Sequence, residues 1–235
     1  MNTNLVEKYA LVTGATSGIG QELIQNLLND GWNVFGVSLN GLMIDHDAYT
    51  DVLCDLRDEE AVEELFQIVS EKTAELQLVV HLAGLFQMSS VLDTSSRECK
   101  DLLETNVIGS FHLFKHVFNY LIEDISHLVV ITNPASVGSL SNLGTYGASQ
   151  SGMLHLFESI KEEWGHLNYR FSSLIIDPVN STLWDQVELE VPRDEMLSIE
   201  DVNQVIMMVI NSPENIEFPR LVVKNVKARA PKLEM

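Results

Sequence analysis

Cysteine, positive charge and long apolar runs are all scarce in this sequence. Its 235 residues include only 2 cysteines, and 14 Lys and Arg residues stand against 34 Asp and Glu residues, for a formal net charge of -20. This excess of negative charge argues against nucleic acid or an anionic membrane as a partner, because both repel an acidic protein. No run of about 18 apolar residues occurs, so no membrane-spanning segment is predicted.

The two cysteines, Cys54 and Cys99, have no metal-binding or redox spacing. They are interpreted as free thiols in a reducing compartment, and no metal site is expected. The N-terminal residues show no basic stretch followed by an apolar one, so no secretory signal is predicted. The composition, with 46% hydrophobic and 20% charged residues, is that of an ordinary globular protein. A cytoplasmic location is therefore expected.

The most informative stretch lies near the N-terminus and combines a strand, a glycine loop and a helix. Tyr9–Val12 is a short apolar run typical of a buried strand, and Gly14, Gly18 and Gly20 follow in the spacing G-x-x-x-G-x-G. Helical spacing of apolar residues then continues up to Gly31. A helix N-terminus preceded by glycines binds phosphate well, because its free N–H groups can approach the anion closely. An ordinary strand-to-helix turn is the alternative interpretation.

Strands and helices alternate along the remainder of the chain, which predicts a parallel sheet with helices on both faces. A single domain is predicted over residues 1–235. The further predicted strands are Trp32–Leu39, Val52–Cys54, Leu78–His81, His127–Thr132, Arg170–Ile176 and Leu221–Val223. Further helices are predicted after Asp58 and over Thr145–Gly165 and Ser198–Asn211.

The longest predicted helix runs from Ser95 or Ser96 to about Glu123. Its apolar residues are predicted to point inward on one continuous face: Leu102, Leu103, Val107, Phe111, Phe114, Phe118 and Leu121. Asn106 is unusual in this apolar stretch. His81 ends the predicted fourth strand and is interpreted either as a packed strand-end residue or as a neighbour of a bound ribose.

Several motifs together resemble the short-chain dehydrogenase/reductase family. Its glycine motif T-G-x-x-x-G-I-G is complete at Thr13–Gly20, and its Y-x-A-S-K motif matches Tyr146 in YGASQ. Asn106 in TNVIG is similar to the family's helix asparagine, and Asp55 to its adenine-contacting aspartate. The resemblance implies an α/β, Rossmann-type doubly wound sheet, a dinucleotide cofactor, a small alcohol or ketone as substrate, and a homodimer or homotetramer.

The resemblance also assigns the residues that contact the cofactor. They are Gly14, Thr16, Ser17, Gly18, Ile19, Gly20, Ser38, Asp55, Leu56, Ala83, Gly84, Tyr146, Gln150, Pro178 and Thr182. The end of the second strand carries neither an acidic nor a basic residue. Because nothing there pairs with a 2′-phosphate, NAD(H) is favoured over NADP(H). Ser38 either binds a ribose hydroxyl or is an ordinary strand-end serine.

Two positions depart from the family pattern. Gln150 replaces the lysine that lowers the pKa of the catalytic tyrosine, and Asn133 replaces the serine that polarises the substrate carbonyl. Glutamine provides hydrogen bonds but no charge, whereas the amide of Asn133 can donate as a hydroxyl does. Tyr146 is thus the predicted acid/base, with Asn106 as structural support. Low turnover and an upward-shifted pH optimum are expected. Ser136, the nearest hydroxyl, is three residues out of register.

Three functions remain open on these residues. The first is an oxidoreductase with a degenerate active site, and the second is a catalytically silent dinucleotide-binding protein with a regulatory or assembly role. The third is an interaction scaffold that no longer binds nucleotide. Short pieces also resemble dihydro-dihydroxybenzoate dehydrogenases. The acidic segment Trp184–Leu197 is expected over the pocket, where it would disfavour anionic substrates, although an exposed charge run is an equal alternative.

Overall fold

Seven parallel strands form one sheet in the order β3-β2-β1-β4-β5-β6-β7. A computed structural model describes residues 7–186 and 192–226. The strands are β1 Lys8–Thr13, β2 Trp32–Ser38, β3 Tyr49–Leu53, β4 Leu78–His81, β5 His127–Thr132, β6 Arg170–Ile176 and β7 Arg220–Val223. The strand order reverses on either side of β1, which is the arrangement of a Rossmann-type doubly wound sheet. The predicted fold class is confirmed.

Helices cover both faces of this sheet. They are α1 Gly18–Asn29, α2 Glu59–Lys72, α3 Ser96–Leu103, α4 Gly109–Val117, α5 Gly144–Trp164 and α6 Ile199–Ile210. Alternate residues of β1 point to opposite faces. Leu11 belongs to the core cluster of α2, α4 and α5, whereas Ala10 and Val12 belong to that of α1 and α6. In the described part of the chain, no helix combines the length and the apolar character needed to cross a membrane.

The longest predicted helix is not one regular α-helix. A π-helical segment, Glu104–Ile108, separates α3 from α4, and a 3₁₀ turn ends the helix at Tyr120 rather than Glu123. The predicted inward face is wrong at Leu103 and Phe111, which are 41% and 44% exposed. A π turn inserts an extra residue and rotates the residues after it about the helix axis, so a uniform 3.6-residue period fails beyond it.

The predicted third strand was also misplaced. β3 begins at Tyr49, before the predicted start at Val52, and ends at Leu53 rather than Cys54. These limits follow from its pairing with β2. The pairing runs from Val34 opposite Tyr49 to Ser38 opposite Leu53. Tyr49 and Thr50 lack the apolar run that marked the other strands, because β3 lies at the edge of the sheet.

Candidate active site

The glycine loop connects β1 to α1 through a backbone geometry that requires glycine. Gly14 has a φ of +74°, and a Cβ there would lie 2.9 Å from the backbone N of Ala83. The Ser17 hydroxyl donates to the Gly14 carbonyl at 2.8 Å and accepts from the Gly20 amide at 3.0 Å. Within the described residues, the amides of Gly18 and Ile19 have no acceptor. The start of α1 therefore offers two free donors to an anion.

Two adjoining cavities open at the carboxyl ends of the strands. The first, here called the loop cavity, has a volume of about 390 Å³. It is lined by several of the predicted cofactor residues: Gly14, Thr16, Ser17, Ser38, Asp55, Leu56, Ala83 and Gly84. The second, the tyrosine cavity, has a volume of about 280 Å³. Its lining includes further predicted cofactor residues, three of them shared with the loop cavity, and the predicted catalytic residues: Ser17, Gly18, Ile19, Ala83, Gly84, Asn106, Asn133, Tyr146, Gln150 and Pro178.

Two of the predicted cofactor residues line neither cavity. A Cβ at Gly20 would lie 2.3 Å from the Gly14 carbonyl oxygen, so Gly20 is required for packing within the loop. Thr182 begins a 3₁₀ turn, Thr182–Gln186, and its neighbours Ser181 and Leu183 line the tyrosine cavity in its place. The segment named by the family motif borders this cavity, but only the tertiary structure determines which side chains of the turn line it.

An arginine that sequence reasoning missed lies in the loop cavity. Arg57 follows the predicted adenine-contacting residue Asp55 by two positions and lines the same cavity. Its guanidinium donates to both carboxylate oxygens of Asp55, with the Nη2 atom 2.6 Å from Oδ2. This hydrogen bonding holds the pKa of the Asp55 carboxyl below its usual range. The loop cavity thus contains a cation that is already paired.

The side chain of Asn133 lies at the centre of the reactive groups in the tyrosine cavity. Its Nδ2 atom donates to the hydroxyl of Tyr146 at 2.6 Å and to Oε1 of Gln150 at 3.2 Å. Its Oδ1 atom accepts from the amide of Ala135 at 3.0 Å, which orients the NH₂ group toward the tyrosine. Gln150 Oε1 also accepts from Thr132, a contact that sequence reasoning did not anticipate. The structure brings all three predicted groups together.

The environment of Tyr146 favours the neutral phenol. Burial raises the pKa of Tyr146 above its ordinary value, and the hydrogen bond from Asn133 opposes this effect only in part. Among the described residues that line the tyrosine cavity, none is Lys, Arg or His. The phenol is therefore protonated at neutral pH, where it can donate a proton.

Asn106 is held in the π-helical segment by hydrogen bonds that use its whole amide group. Its Oδ1 atom accepts from the Leu85 amide at 2.7 Å, and its Nδ2 atom donates to the Leu85 carbonyl and to Ser149, each at 2.9 Å. The Ser149 hydroxyl in turn donates to the carbonyl of Tyr146. Asn106 thus ties the loop after β4 to α5, which agrees with its predicted supporting role.

A buried histidine connects the glycine loop to this helix. His81 Nδ1 lies 2.7 Å from the Thr13 hydroxyl, and Nε2 lies 2.8 Å from the Ser110 hydroxyl. The Ser110 hydroxyl donates to the Asn106 carbonyl, so it accepts from Nε2–H, and Thr13 donates to Nδ1. Burial lowers the pKa of His81 to about 4, which keeps the ring neutral. His81 lines neither cavity, so the packing interpretation holds.

Two other expectations concerned residues near the site. The Ser136 hydroxyl donates to the Asn133 carbonyl at 2.7 Å and does not line the tyrosine cavity, so it is no substitute for the family serine. In the acidic segment, Trp184 lines this cavity and Asp185 pairs with Arg193 at 2.6 Å. Glu188 and Glu190, two further acidic residues of this segment, lie outside the described residues.

The chain is similar to known proteins both in sequence and in fold. A family model described as short chain dehydrogenase matches residues 8–191. A diacetyl reductase, (S)-acetoin forming, from Staphylococcus epidermidis is 24% identical over 208 residues, or 83% of this chain and 81% of that protein. An alcohol dehydrogenase from the archaeon Thermococcus sibiricus, complexed with 5-hydroxy-NADP, superimposes with a TM-score of 0.82 at 20% identity, covering 96% and 99% of the two chains. A 4-hydroxyisoleucine dehydrogenase complexed with NADH superimposes with a TM-score of 0.77 at 20% identity, covering 93% of this chain and 97% of that one.

Proposed function

Because the chain belongs to the short chain dehydrogenase family, we propose that it is an NAD(P)(H)-dependent oxidoreductase that interconverts a small ketone and its alcohol. The observation that carries this proposal is the hydrogen bond from Asn133 Nδ2 to the Tyr146 hydroxyl, 2.6 Å long, inside a cavity that adjoins the glycine loop. It places a proton donor and a carbonyl-polarising amide at one point. These are the two groups that carbonyl reduction requires besides a hydride source.

The residues around the two cavities fit a dinucleotide. The free amides of Gly18 and Ile19 would hold the pyrophosphate, and Asp55 and Leu56 would contact the adenine end. Gln150 Nε2 has no acceptor among the described residues, so it is available to a ribose hydroxyl. When bound, the reduced cofactor supplies the hydride.

The chain's own residues would supply the proton and the orientation. The ketone oxygen would accept a hydrogen bond from Tyr146 and a second one from the Asn133 N–H that otherwise donates to the Tyr146 hydroxyl, and both bonds polarise the C=O group. As hydride reaches the carbonyl carbon, the C=O π electrons move to the oxygen, which takes the phenolic proton and becomes the alcohol hydroxyl. Because no cation among the described lining residues stabilises the resulting tyrosinate, turnover would be low, and alcohol oxidation, which needs the phenolate, would have a high pH optimum.

Cofactor preference follows from the side chains around the loop cavity. Ser38, Leu39 and Asn40 provide no positive charge at the end of β2, and the guanidinium of Arg57 is engaged by Asp55. Solved relatives with either NADH or an NADP analogue exist, so the fold accommodates both kinds of cofactor. We propose that this chain binds NAD(H) more tightly than NADP(H), by a modest factor.

Assembly into a homodimer or homotetramer is also proposed. α4 and the adjoining π-helical segment expose the apolar side chains of Ile108 and Phe111, each 44% exposed, and Leu103 at the end of α3 is 41% exposed. Exposed apolar side chains grouped on one helix face are typical of an interface with another subunit. Light scattering coupled to size-exclusion chromatography would measure the mass, and a monomer at micromolar concentration would contradict this proposal.

The test of the proposed reaction is a calorimetric titration with NADH and NADPH, followed by a carbonyl screen at several pH values. We expect micromolar binding and slow reduction, and Tyr146→Phe should lower kcat at least 100-fold, roughly the contribution of a general acid, without weakening cofactor binding. The second candidate, a catalytically silent dinucleotide-binding protein, is motivated by the uncharged Gln150. It would be supported instead if cofactor bound but no carbonyl compound was reduced.

A further inference from the structure

Resting on the proposed function, we infer that the substrate of the tyrosine cavity is an uncharged ketone with an aromatic group, which packs against a wall formed by Phe86 and Trp184. The proposed reaction itself requires only a carbonyl group. The shape and charge of the cavity wall restrict which carbonyl compounds can approach Tyr146.

The aromatic wall begins at the reactive tyrosine. The ring of Phe86 contacts Tyr146 edge-to-face, with centroids 4.9 Å apart and planes at 84°. It also contacts Trp184 edge-to-face, with ring centroids 5.3 Å apart and planes at 62°. The indole N–H of Trp184 donates to the Val179 carbonyl at 2.9 Å, which fixes the ring and satisfies its polar atom. The remaining carbon surface favours another aromatic ring, because such pairs gain energy beyond simple burial.

The cavity rim is apolar as well. Leu85, Leu140 and Leu183 line the tyrosine cavity and remain 39%, 48% and 44% exposed. Apolar side chains gathered at a concave site and left accessible to water are typical of ligand-binding surfaces. A hydrocarbon substrate would cover them, and removing this area from water would contribute to its binding.

The charges of the lining exclude an anion. Among the described lining residues no cation occurs, and Asp177 is the one carboxylate. The carboxylate of Asp177 accepts a hydrogen bond from the backbone N–H of Asn225 at 3.0 Å, which keeps the carboxylate in place. On the segment beyond the rim, the guanidinium of Arg193 is paired with Asp185. A substrate carboxylate would therefore lose its hydration without gaining a cationic partner among the described lining residues, which costs free energy.

Two side-chain donors of the described lining converge on one point. The Asn133 amide and the Tyr146 hydroxyl are 2.6 Å apart and can share one carbonyl oxygen. The amide of Asn106 is fully used by Leu85 and Ser149. One polar point within an apolar wall fits a ketone whose other groups are hydrocarbon or an uncharged ester.

The experiment compares two probes that differ chiefly in charge, methyl phenylglyoxylate and phenylglyoxylate. Binding of each to the full chain saturated with NAD⁺ is measured by calorimetry, and reduction of each with NADH is followed at 340 nm. A third ketone without a ring, 2-butanone, reports the contribution of the aromatic group. We expect the ester to exceed the acid at least tenfold in affinity and in kcat/KM.

Variants then test the named residues. Trp184→Ala should lower the ratio of kcat/KM for the ester over 2-butanone about tenfold, and Trp184→Phe should recover part of it. Asp177→Asn should improve the relative binding of phenylglyoxylate. The control is Met43→Ala, because this side chain is 99% exposed and lines neither cavity. It should change neither the ratio of kcat/KM for the ester over 2-butanone nor the relative binding of phenylglyoxylate.

The outcomes separate this inference from the proposed function. Binding of the ester without any turnover would refute the reaction and leave the inference supported. Turnover of the acid as fast as the ester, or equal ratios in Trp184→Ala and the parent, would refute the inference and leave the reaction standing. Failure of both phenyl compounds to bind, with 2-butanone reduced, would also overturn the inference.

Discussion

The loop cavity and the tyrosine cavity share a wall, but one depends on backbone groups and the other on side chains. In the glycine loop, which borders both cavities, the decisive groups belong to the backbone, namely the turn at Gly14 and the free amides of Gly18 and Ile19. In the tyrosine cavity they belong to side chains, above all Asn133, Tyr146 and Gln150. A backbone site needs only the right glycines, whereas a side-chain site changes with each substitution. This contrast explains why the cofactor motif is complete while the reactive groups depart from the family.

The largest expected effect comes from adding a methyl group to the glycine loop. Gly14→Ala should weaken NADH binding at least 100-fold, because the Cβ would lie 2.9 Å from the backbone of Leu82 and Ala83 at a φ of +74°. Gly31→Ala is the matched control, since Gly31 has a φ of +78° but no atom within 4 Å. It should cost about 1–2 kcal/mol of stability and leave cofactor affinity unchanged. Calorimetry measures the affinity for NADH, and thermal unfolding measures the stability. Equal losses of affinity in Gly14→Ala and Gly31→Ala would contradict the assignment of cofactor binding to the loop backbone.

The second prediction concerns His81, which links the end of β1 to α4 through Thr13 and Ser110. Its folded-state pKa of about 4 lies below the unfolded value of about 6.5, so the unfolded chain binds the additional proton between these values. Stability should therefore fall as the pH drops from about 6.5 to 4, by on the order of 3 kcal/mol for this group.

Chemical denaturation at a series of pH values measures this slope. His81→Asn removes the titrating group and should flatten the slope in part. Part of it should remain, because burial also lowers the pKa of His127, to about 3. A slope identical in the parent and in His81→Asn would contradict the assignment.

A smaller effect is expected from restoring a charge in the tyrosine cavity. Gln150→Lys should raise kcat at pH 7 about tenfold and move the pH optimum for alcohol oxidation downward, because a nearby cation favours the phenolate of Tyr146. Gln150→Met, which is similar in size but uncharged, is the control and should show no gain. The pH–rate profiles of both variants measure this. If lysine gave no increase, the site would have diverged in more than its charge.

The smallest expected effect is a shift in cofactor preference. Leu39 lines the loop cavity and is 62% exposed, so Leu39→Arg would place a cation where a 2′-phosphate is expected. We expect NADPH to bind about two- to fivefold more tightly, with NADH affinity nearly unchanged, since exposed charge pairs contribute at most about 1 kcal/mol. Raising the salt concentration should reduce the gain. Equal tightening for both cofactors would point to a contact other than the 2′-phosphate.

Sequence patterns predicted most strands and the order of the site residues because both depend on local features. The apolar run before Gly14 and the helical spacing after Gly18 are visible in one window of residues. The motif around Tyr146 likewise lies within five positions of α5. The π-helical segment was not predictable in this way, because no residue type is characteristic of the extra turn, and the error at Phe111 followed from it.

By itself, the sequence determined the doubly wound sheet and the glycine loop, because hydrophobic period and glycine spacing are properties of neighbouring residues. It also determined that Gln150 brings no cation to Tyr146. Only the tertiary structure decided the pairing of Arg57 with Asp55, the hydrogen bonds of His81 to Thr13 and Ser110, and the wall of Phe86 and Trp184. These contacts join residues on different elements or fix the direction of a side chain in a turn. Their geometry depends on how the packed sheet and helices orient each side chain.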